Sequence, residues 1–335
     1  MFDGKTILIT GGTGSLGRAL TQKLLDSNVD TIRIFSRNES KQIEMESDFD
    51  DIRLRFFIGD VRDSERLFSA LEDVDLVFHA AALKHVPKIE YNPFESIKTN
   101  VIGSQNVIDN SLRQNVEKVI CVGTDKAVSP LNTYGATKLL MEKLFVSANN
   151  YVNPEKHKTK FVAVRYGNVL GSSGSVIPKF IDMIKKGKPI SVTDAKMTRF
   201  TITMNDALEF ILNATVAGKG SEIFIPKLKS YEMPILIEAL SELCGKTEQE
   251  ISGIRPGEKL HETLINHDEI RYAWEINNMY MLANPHYKLF NDSEILENYD
   301  GIKKVEGINS YSSDTVEKIT KEELKEKIKN SGLLD

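Results

Sequence analysis

The stretch Thr10-Gly11-Gly12-Thr13-Gly14-Ser15-Leu16-Gly17 decides the fold. It follows a short apolar run, Thr6–Thr10, and opens a helical pattern over Ser15–Ser27. Its glycines fall as GxxGxxG. Glycine alone allows the tight turn, the close approach of backbone to a pyrophosphate and the close packing of helix on strand. The helix start then offers free N–H groups and the positive end of its dipole to a phosphate. A strand–turn–helix setting is the context in which such a triplet reads as dinucleotide binding rather than as an ordinary turn. Gly11, Thr13, Gly14, Ser15, Leu16 and Gly17 are therefore candidate cofactor contacts.

Outward from this turn, apolar runs alternate with longer helical patterns. The strands expected are Thr6–Thr10, Thr31–Ser36, Leu54–Gly59, Leu76–Ala80, Lys118–Gly123 and Lys160–Arg165. Between them lie the helices Ser15–Ser27, Glu65–Leu71, Pro93–Asn115 and Tyr134–Asn149. Near-continuous apolar strands are expected where both faces of a parallel sheet are covered. Repeated βαβ units then give an α/β fold, a Rossmann-type doubly wound parallel sheet with right-handed crossovers. After about Tyr166 the rhythm breaks. Pro178, Pro189, Pro226, Pro234 and Pro256 punctuate shorter pieces, among them the helices Val176–Lys186 and Asn205–Ala217. This predicts a cofactor domain over 1–165, with return segments around 195–225, and a smaller C-terminal substrate-binding domain over 166–335. Lys321–Gly332 reads as a surface helix, with Thr320 and Glu323 at capping-box spacing.

The chain has 335 residues, enough for about two domains at ~150 residues each. It carries 43 Lys+Arg against 48 Asp+Glu, a net charge of -5. That excludes a globally basic protein that binds nucleic acid by neutralising phosphate. The basic runs Lys156–Lys160 and Lys185–Lys188 are short and read as solvated faces. The two cysteines, Cys121 and Cys244, form no CxxC, so neither a disulfide framework nor a metal site is expected and a reducing cytoplasm is the natural compartment. The first ten residues carry no basic or long apolar leader. No run approaches the ~18 apolar residues of a membrane span.

Ligands in a doubly wound sheet sit beyond the carboxyl ends of the strands, so the residues there carry the chemistry. After the second strand stand Ser36-Arg37-Asn38-Glu39 and Lys41. Ser36, Arg37 and Lys41 suit the 2′-phosphate of NADP, while Glu39 is the residue that NAD would use. After the third come Asp60 and Val61, placed for an adenine edge. After the fourth, His79-Ala80-Ala81-Ala82 offers small residues past which a cofactor can run; His79, at the end of an apolar run, reads as structural. The fifth strand ends in Gly123-Thr124-Asp125-Lys126, and Tyr134-Gly135-Ala136-Thr137-Lys138 opens the next helix. Tyr134 and Lys138 share a helix face. A nearby ammonium favours the phenolate and makes tyrosine a usable base. Trp274 reads as core.

Gly11, Gly14, Gly17, Asp60, Thr124, Tyr134 and Lys138 together resemble the extended short-chain dehydrogenase/reductase family of nucleotide-sugar enzymes. The resemblance implies a Thr124–Tyr134–Lys138 triad, a nicotinamide cofactor and a nucleoside-diphosphate sugar, with Lys138 also on the nicotinamide ribose. Dehydratases of the dTDP-glucose kind carry Asp-Glu after the threonine, and simple 4-epimerases need only the triad. This chain has Asp125-Lys126. It is similar there to the group of C5-inverting UDP-N-acetylglucosamine 4,6-dehydratases. Further stretches carry that likeness over about residues 4–265: Phe56-Phe57-Ile58-Gly59-Asp60-Val61-Arg62-Asp63, Ala80–Pro87, Arg165-Tyr166-Gly167-Asn168, Met197-Thr198-Arg199-Phe200 and Ile254-Arg255-Pro256-Gly257-Glu258-Lys259. One departure is Gly171-Ser172-Ser173-Gly174-Ser175, where the group often has Gly-Ser-Arg-Gly-Ser; the lost arginine removes a candidate phosphate contact.

The resemblance implies roles as follows. Tyr134 takes the 4-hydroxyl proton. Lys126 removes the C5 proton if burial and the nearby charge of Lys138 hold it neutral. Protonated Asp125 donates to the leaving 6-hydroxyl. Lys84 reaches the substrate, Asn168 and Arg199 contact its nucleotide, and Arg255 and Glu258 its diphosphate and ribose. UDP-N-acetylglucosamine is the substrate partner expected. Helices Pro93–Asn115 and Tyr134–Asn149 resemble the family's subunit-packing pair, implying a homo-oligomer. The residues leave open a C5-retaining dehydratase, and less readily a 4-epimerase; a non-catalytic regulator on the same fold would be expected to lose the Tyr–Lys pair.

Overall fold

The computed structural model describes residues 1–150, 152–153, 155–172, 174–284 and 292–334. Ser173, where the expected arginine is missing, and part of the tail lie outside them.

Six strands and seven helices build the first half in the order the sequence implies. The strands are β1 (Thr6–Thr10), β2 (Thr31–Ser36), β3 (Leu54–Ile58), β4 (Leu76–His79), β5 (Lys118–Val122) and β6 (Lys160–Val164). The helices are α1 (Ser15–Leu25), α2 (Glu39–Phe49), α3 (Ser64–Ala70), α4 (Val86–Tyr91), α5 (Pro93–Ser96), α6 (Gly103–Arg113) and α7 (Thr133–Ala148). The expected helix Pro93–Asn115 is divided: a π-helical stretch, Ile97–Ile102, separates α5 from α6. Helix α2 was not expected, because only Gln42 and Met45 on it are buried and no apolar period announces it.

The strands pair in parallel in the order β3-β2-β1-β4-β5-β6. The order reverses between β1 and β4, and a crevice opens at their carboxyl ends. Three later segments extend the sheet. Ile223–Pro226 joins β6 in parallel, and the hairpin Ala273–Ile276 and Met279–Leu282 adds antiparallel strands beyond it. Helix Met204–Ala217 packs on α1 below them. So 204–226 and 273–282 both return to the large sheet, and Trp274 is buried in its core as expected.

Two apolar clusters cover the two faces of this sheet. A third forms the smaller lobe from Val176–Lys185, Met233–Cys244 and Lys321–Lys329, with Phe180, Leu236, Leu240, Leu324 and Ile328 at its centre. Thr320 and Glu323 cap the last helix reciprocally, as their spacing implies. Among the described residues no helix is long and apolar enough to cross a membrane, and no group of His, Cys, Asp and Glu is placed to hold a metal ion.

Candidate active site

A cavity of about 810 Å³ lies over the carboxyl edge of the sheet. Its floor is the glycine turn. Gly11 has φ +69°, and a Cβ there would stand 2.9 Å from the backbone of Ala81. A Cβ on Gly17 would meet the carbonyl oxygen of Gly12 at 2.4 Å, so only glycine lets α1 leave the turn at this angle. The start of α1 has no side-chain cap and no acid in its first turn. Its N–H groups are thus left for a phosphate, and the cradle fits a dinucleotide.

All the expected cofactor residues reach this cavity: Gly11, Thr13, Gly14, Ser15, Leu16 and Gly17 from the turn, Ser36, Arg37 and Lys41 after β2, Asp60 and Val61 after β3, Ala80 and Ala81 after β4, and Tyr134 and Lys138 from α7. Asn38 caps α2 by accepting from Lys41 N at 2.9 Å, which turns the chain so that Arg37 and Lys41 face the opening. Glu39 is exposed on α2 and does not line the cavity. Burial works against ionisation of Asp60, but hydrogen bonds from Arg62 hold its carboxyl below the usual value. His79 is buried, bonded to Thr10 Oγ1 at 2.8 Å and Ser104 Oγ at 2.9 Å. Burial lowers its pKa to about 3, so it is a neutral structural group at the strand's end.

The expected catalytic group sits where β5 ends. Thr124 and Lys126 line the cavity, and Asp125 is buried behind them. Thr124 Oγ1 donates to Asp125 Oδ1 at 2.9 Å, and Lys126 Nζ donates to the same oxygen at 2.9 Å. The other carboxylate oxygen of Asp125 is buried without a hydrogen-bond partner. Tyr134 is held against this turn because Gly135 follows it: a Cβ on Gly135 would lie 2.3 Å from the carbonyl oxygen of Lys126. Lys138, one turn along α7, donates to Val122 O at 2.7 Å.

The electrostatics differ from the expectation in one respect. Burial opposes the charge of Lys126, but Asp125 and Glu262 outweigh it and hold the ammonium above its ordinary value. Lys126 is therefore charged, not neutral, in the ligand-free protein. Lys138 is the amine that burial weakens, to about 8. Burial likewise raises the Tyr134 phenol, and the cation opposing that rise is Lys126, assisted by a hydrogen bond with Thr124. The sequence put Lys138 in that role because i and i+4 share a face; in the fold its ammonium turns down to the end of β5.

The expected substrate residues divide. Lys84 and Asn168 line the cavity, and Asn168 has a buried, unpartnered Oδ1. Arg199 does not reach it, because its guanidinium donates to the carbonyls of Thr198, Lys259 and Leu260. Arg255 and Glu258 lie outside it as an ion pair at 3.8 Å. Two residues escaped the sequence. Asn100, on the π-helical stretch, brackets the backbone of Leu83 with two hydrogen bonds (2.8 and 3.0 Å) and reaches Thr137 on α7. It thereby fixes the loop that carries Lys84. Glu262, buried ahead of strand Thr263–Ile265, lies 3.7 Å from Lys126 Nζ. No local motif marks either one.

A Tyr–Lys helix opening onto a glycine-turn cavity at the carboxyl edge of this sheet places the molecule in the short-chain dehydrogenase/reductase class. Within it, the family described as polysaccharide biosynthesis protein matches residues 7–284, and the chain belongs to that family. A UDP-N-acetylglucosamine 4,6-dehydratase (inverting) of Campylobacter jejuni is 49% identical over 94% of each chain. A UDP-glucose 4-epimerase of Rickettsia felis is 40% identical over 98% of this chain and 97% of its own. The solved structure of Pen from Bacillus thuringiensis is 39% identical, with a TM-score of 0.89 over 100% of both chains.

Proposed function

We propose that the chain is an NADP-dependent UDP-N-acetylglucosamine 4,6-dehydratase, a hydro-lyase that inverts C5 and yields UDP-2-acetamido-2,6-dideoxy-β-L-arabino-hexos-4-ulose for surface-glycan sugar synthesis. The observation that carries this reading is the Asp125–Lys126 ion pair between the end of β5 and Tyr134. Moving a proton at C4 alone needs only Thr124, Tyr134 and Lys138. Elimination of water needs an acid and a base more, and this pair supplies both.

Bound NADP supplies a two-electron acceptor that oxidises C4 and returns its reducing equivalents to C6, so no external reductant is consumed. Arg37 and Lys41 at the opening, with Glu39 turned away, favour the 2′-phosphate. Tyr134 accepts the 4-hydroxyl proton, with Thr124 beside it. When substrate excludes water, the Lys126 proton passes to Asp125 across 2.9 Å; low dielectric favours the neutral pair. Neutral Lys126 then takes the C5 proton, and Asp125 donates to the departing 6-hydroxyl. The ion pair is regenerated and water leaves. A proton from solvent reaches C5 on the opposite face and inverts the centre, and Tyr134 gives the proton it took from the 4-hydroxyl back to solvent. Lys84 and Asn168 are assigned to the sugar and nucleotide; Arg199 (nucleotide), Arg255 and Glu258 (diphosphate and ribose) lie outside the cavity and would have to turn toward it to make their contacts.

A homo-oligomer is part of this reading: Tyr91, Phe94, Ile102 and Leu140 leave apolar side chains exposed on and beside α5 to α7. The cytoplasm is the proposed compartment, from two free cysteines and no expected disulfide. Mass spectrometry of the nucleotide sugar after incubation with NADP and UDP-N-acetylglucosamine tests the reaction class. Loss of one water supports dehydration. A product of unchanged mass that chromatography separates from the substrate would mean a 4-epimerase.

A further inference from the structure

Glu262 lies far from Lys126 in sequence and beside it in space. Its backbone is pinned by Ser312 and Ser313: Ser313 Oγ accepts from Glu262 N at 2.8 Å, and Ser313 N and Ser312 Oγ donate to Glu262 O at 2.8 and 3.1 Å. The side chain is buried. One carboxylate oxygen stands 3.7 Å from Lys126 Nζ and 3.8 Å from Arg199 Nε, and the other has no hydrogen-bond partner. A carboxylate buried for architecture is usually saturated with short hydrogen bonds. Elsewhere in this molecule that is so: Glu142 and Glu269 grip Arg165 at 2.6–3.0 Å. Glu262 instead stands just beyond hydrogen-bond length from two cations, where it acts through its charge.

We propose that Glu262 is a positioning residue that keeps the Lys126 ammonium protonated and drawn toward strand Thr263–Ile265 in the resting enzyme. The groups facing Lys126 from each packed element are known. Asp125 is on its own turn, Tyr134 on α7, Tyr231 on strand Ser230–Glu232, and Glu262 and Lys259 on the segment after Pro256. Arg199, on strand Thr198–Ile202, faces Glu262. Of these only Asp125 and Glu262 are acidic, and Asp125 is the partner that must exchange the proton. Glu262 is thus the fixed negative charge against which that exchange occurs. Its consequence for turnover rests on the dehydratase reading; the charge state itself does not.

The test is competitive acetylation of the free enzyme across a pH series, with Lys126 labelling measured by mass spectrometry relative to the exposed Lys23. Only the neutral amine reacts. Removing a charge this close moves a lysine midpoint by at least about one pH unit, so Glu262→Gln should raise relative labelling of Lys126 about tenfold at a given pH. Ser313→Ala, which loosens the backbone anchor and keeps the charge, should leave the ratio unchanged. An unchanged ratio in Glu262→Gln overturns the proposal, as does an equal rise in Ser313→Ala, which would mean mere loosening. If Glu262→Gln does not fold, Glu262→Asp decides: its retracted carboxylate should give a smaller rise, and none would overturn the proposal. No substrate is used, so a chain that failed to dehydrate its sugar would sink the proposed function and leave this result readable.

Discussion

In the proposed reaction elimination turns on Lys126, which two carboxylates face: Asp125 beside it in sequence and Glu262 from a distant segment. Lys126→Gln should retain C4 oxidation and lose elimination. General acid–base groups contribute ~10²–10⁴ in rate, so dehydration should fall at least ~10²-fold while substrate still induces the absorbance of reduced cofactor. The pH dependence has a stated sign. Burial raises the Tyr134 phenol and Lys126 opposes that rise, so the rate of C4 oxidation should climb with pH as Tyr134 ionises. In Lys126→Gln that limb should move to higher pH; a limb that stayed in place would remove Lys126 from the tyrosine's surroundings. That Thr124, Tyr134 and Lys138 line one cavity was legible because local spacing puts them at a strand end and on one helix face. The state of Lys126 was not, since Glu262 carries no motif and meets it only through folding. Nor does the sequence show that the Arg199 guanidinium donates to the backbone carbonyls of Thr198, Lys259 and Leu260.

At the scale of elements, the site depends on how closely α7 approaches the turn Asp125–Ala127. Gly135→Ala inserts a methyl 2.3 Å from the carbonyl oxygen of Lys126 and must push Tyr134 away. A displacement of about 1 Å can cost ~10²-fold in rate, so kcat should drop by that order with cofactor affinity nearly unchanged, as stopped-flow and cofactor titration would show. The end of β4 makes a different prediction. His79 titrates near 6.5 when unfolded and near 3 when folded, so below pH 6.5 the unfolded chain binds a proton that the native one refuses. Stability should therefore decline with acidification through the window from about 6.5 to 3, by about 1.4 kcal/mol per pH unit from this group. Urea midpoints of His79→Asn should show a shallower decline; an identical slope would contradict the assignment. Strands β1 to β6 were readable because burial on both faces makes them plain apolar runs. Helix α2 and the π-helical stretch were not, since the first buries almost nothing and the second interrupts an otherwise regular pattern.

The whole molecule is a large sheet with a smaller lobe closing over its carboxyl edge, tied together in the interior. Arg165, at the end of β6, joins Glu142 on α7 to Glu269 and the carbonyl of Leu264 beyond it. This late return of the chain to the sheet was not legible, because two helices of the lobe, Val176–Lys185 and Met233–Cys244, lie between β6 and the hairpin 273–282. Leu140 and Phe94 are exposed on the single chain, and the proposed homo-oligomer would cover them. Light scattering should give a mass above the 37.7 kDa of one chain, and Leu140→Glu should release monomers; a wild-type monomer would contradict the expected assembly. The proposed reaction is dehydration with inversion at C5. Its most direct test is proton NMR of UDP-N-acetylglucosamine turned over by the purified protein in D2O. A 6-deoxy-4-keto product with deuterium at C5 and L-arabino ring couplings is the result expected. A product of D-xylo configuration would contradict the inversion, and UDP-N-acetylgalactosamine alone would contradict the dehydration and the role of Lys126 with it.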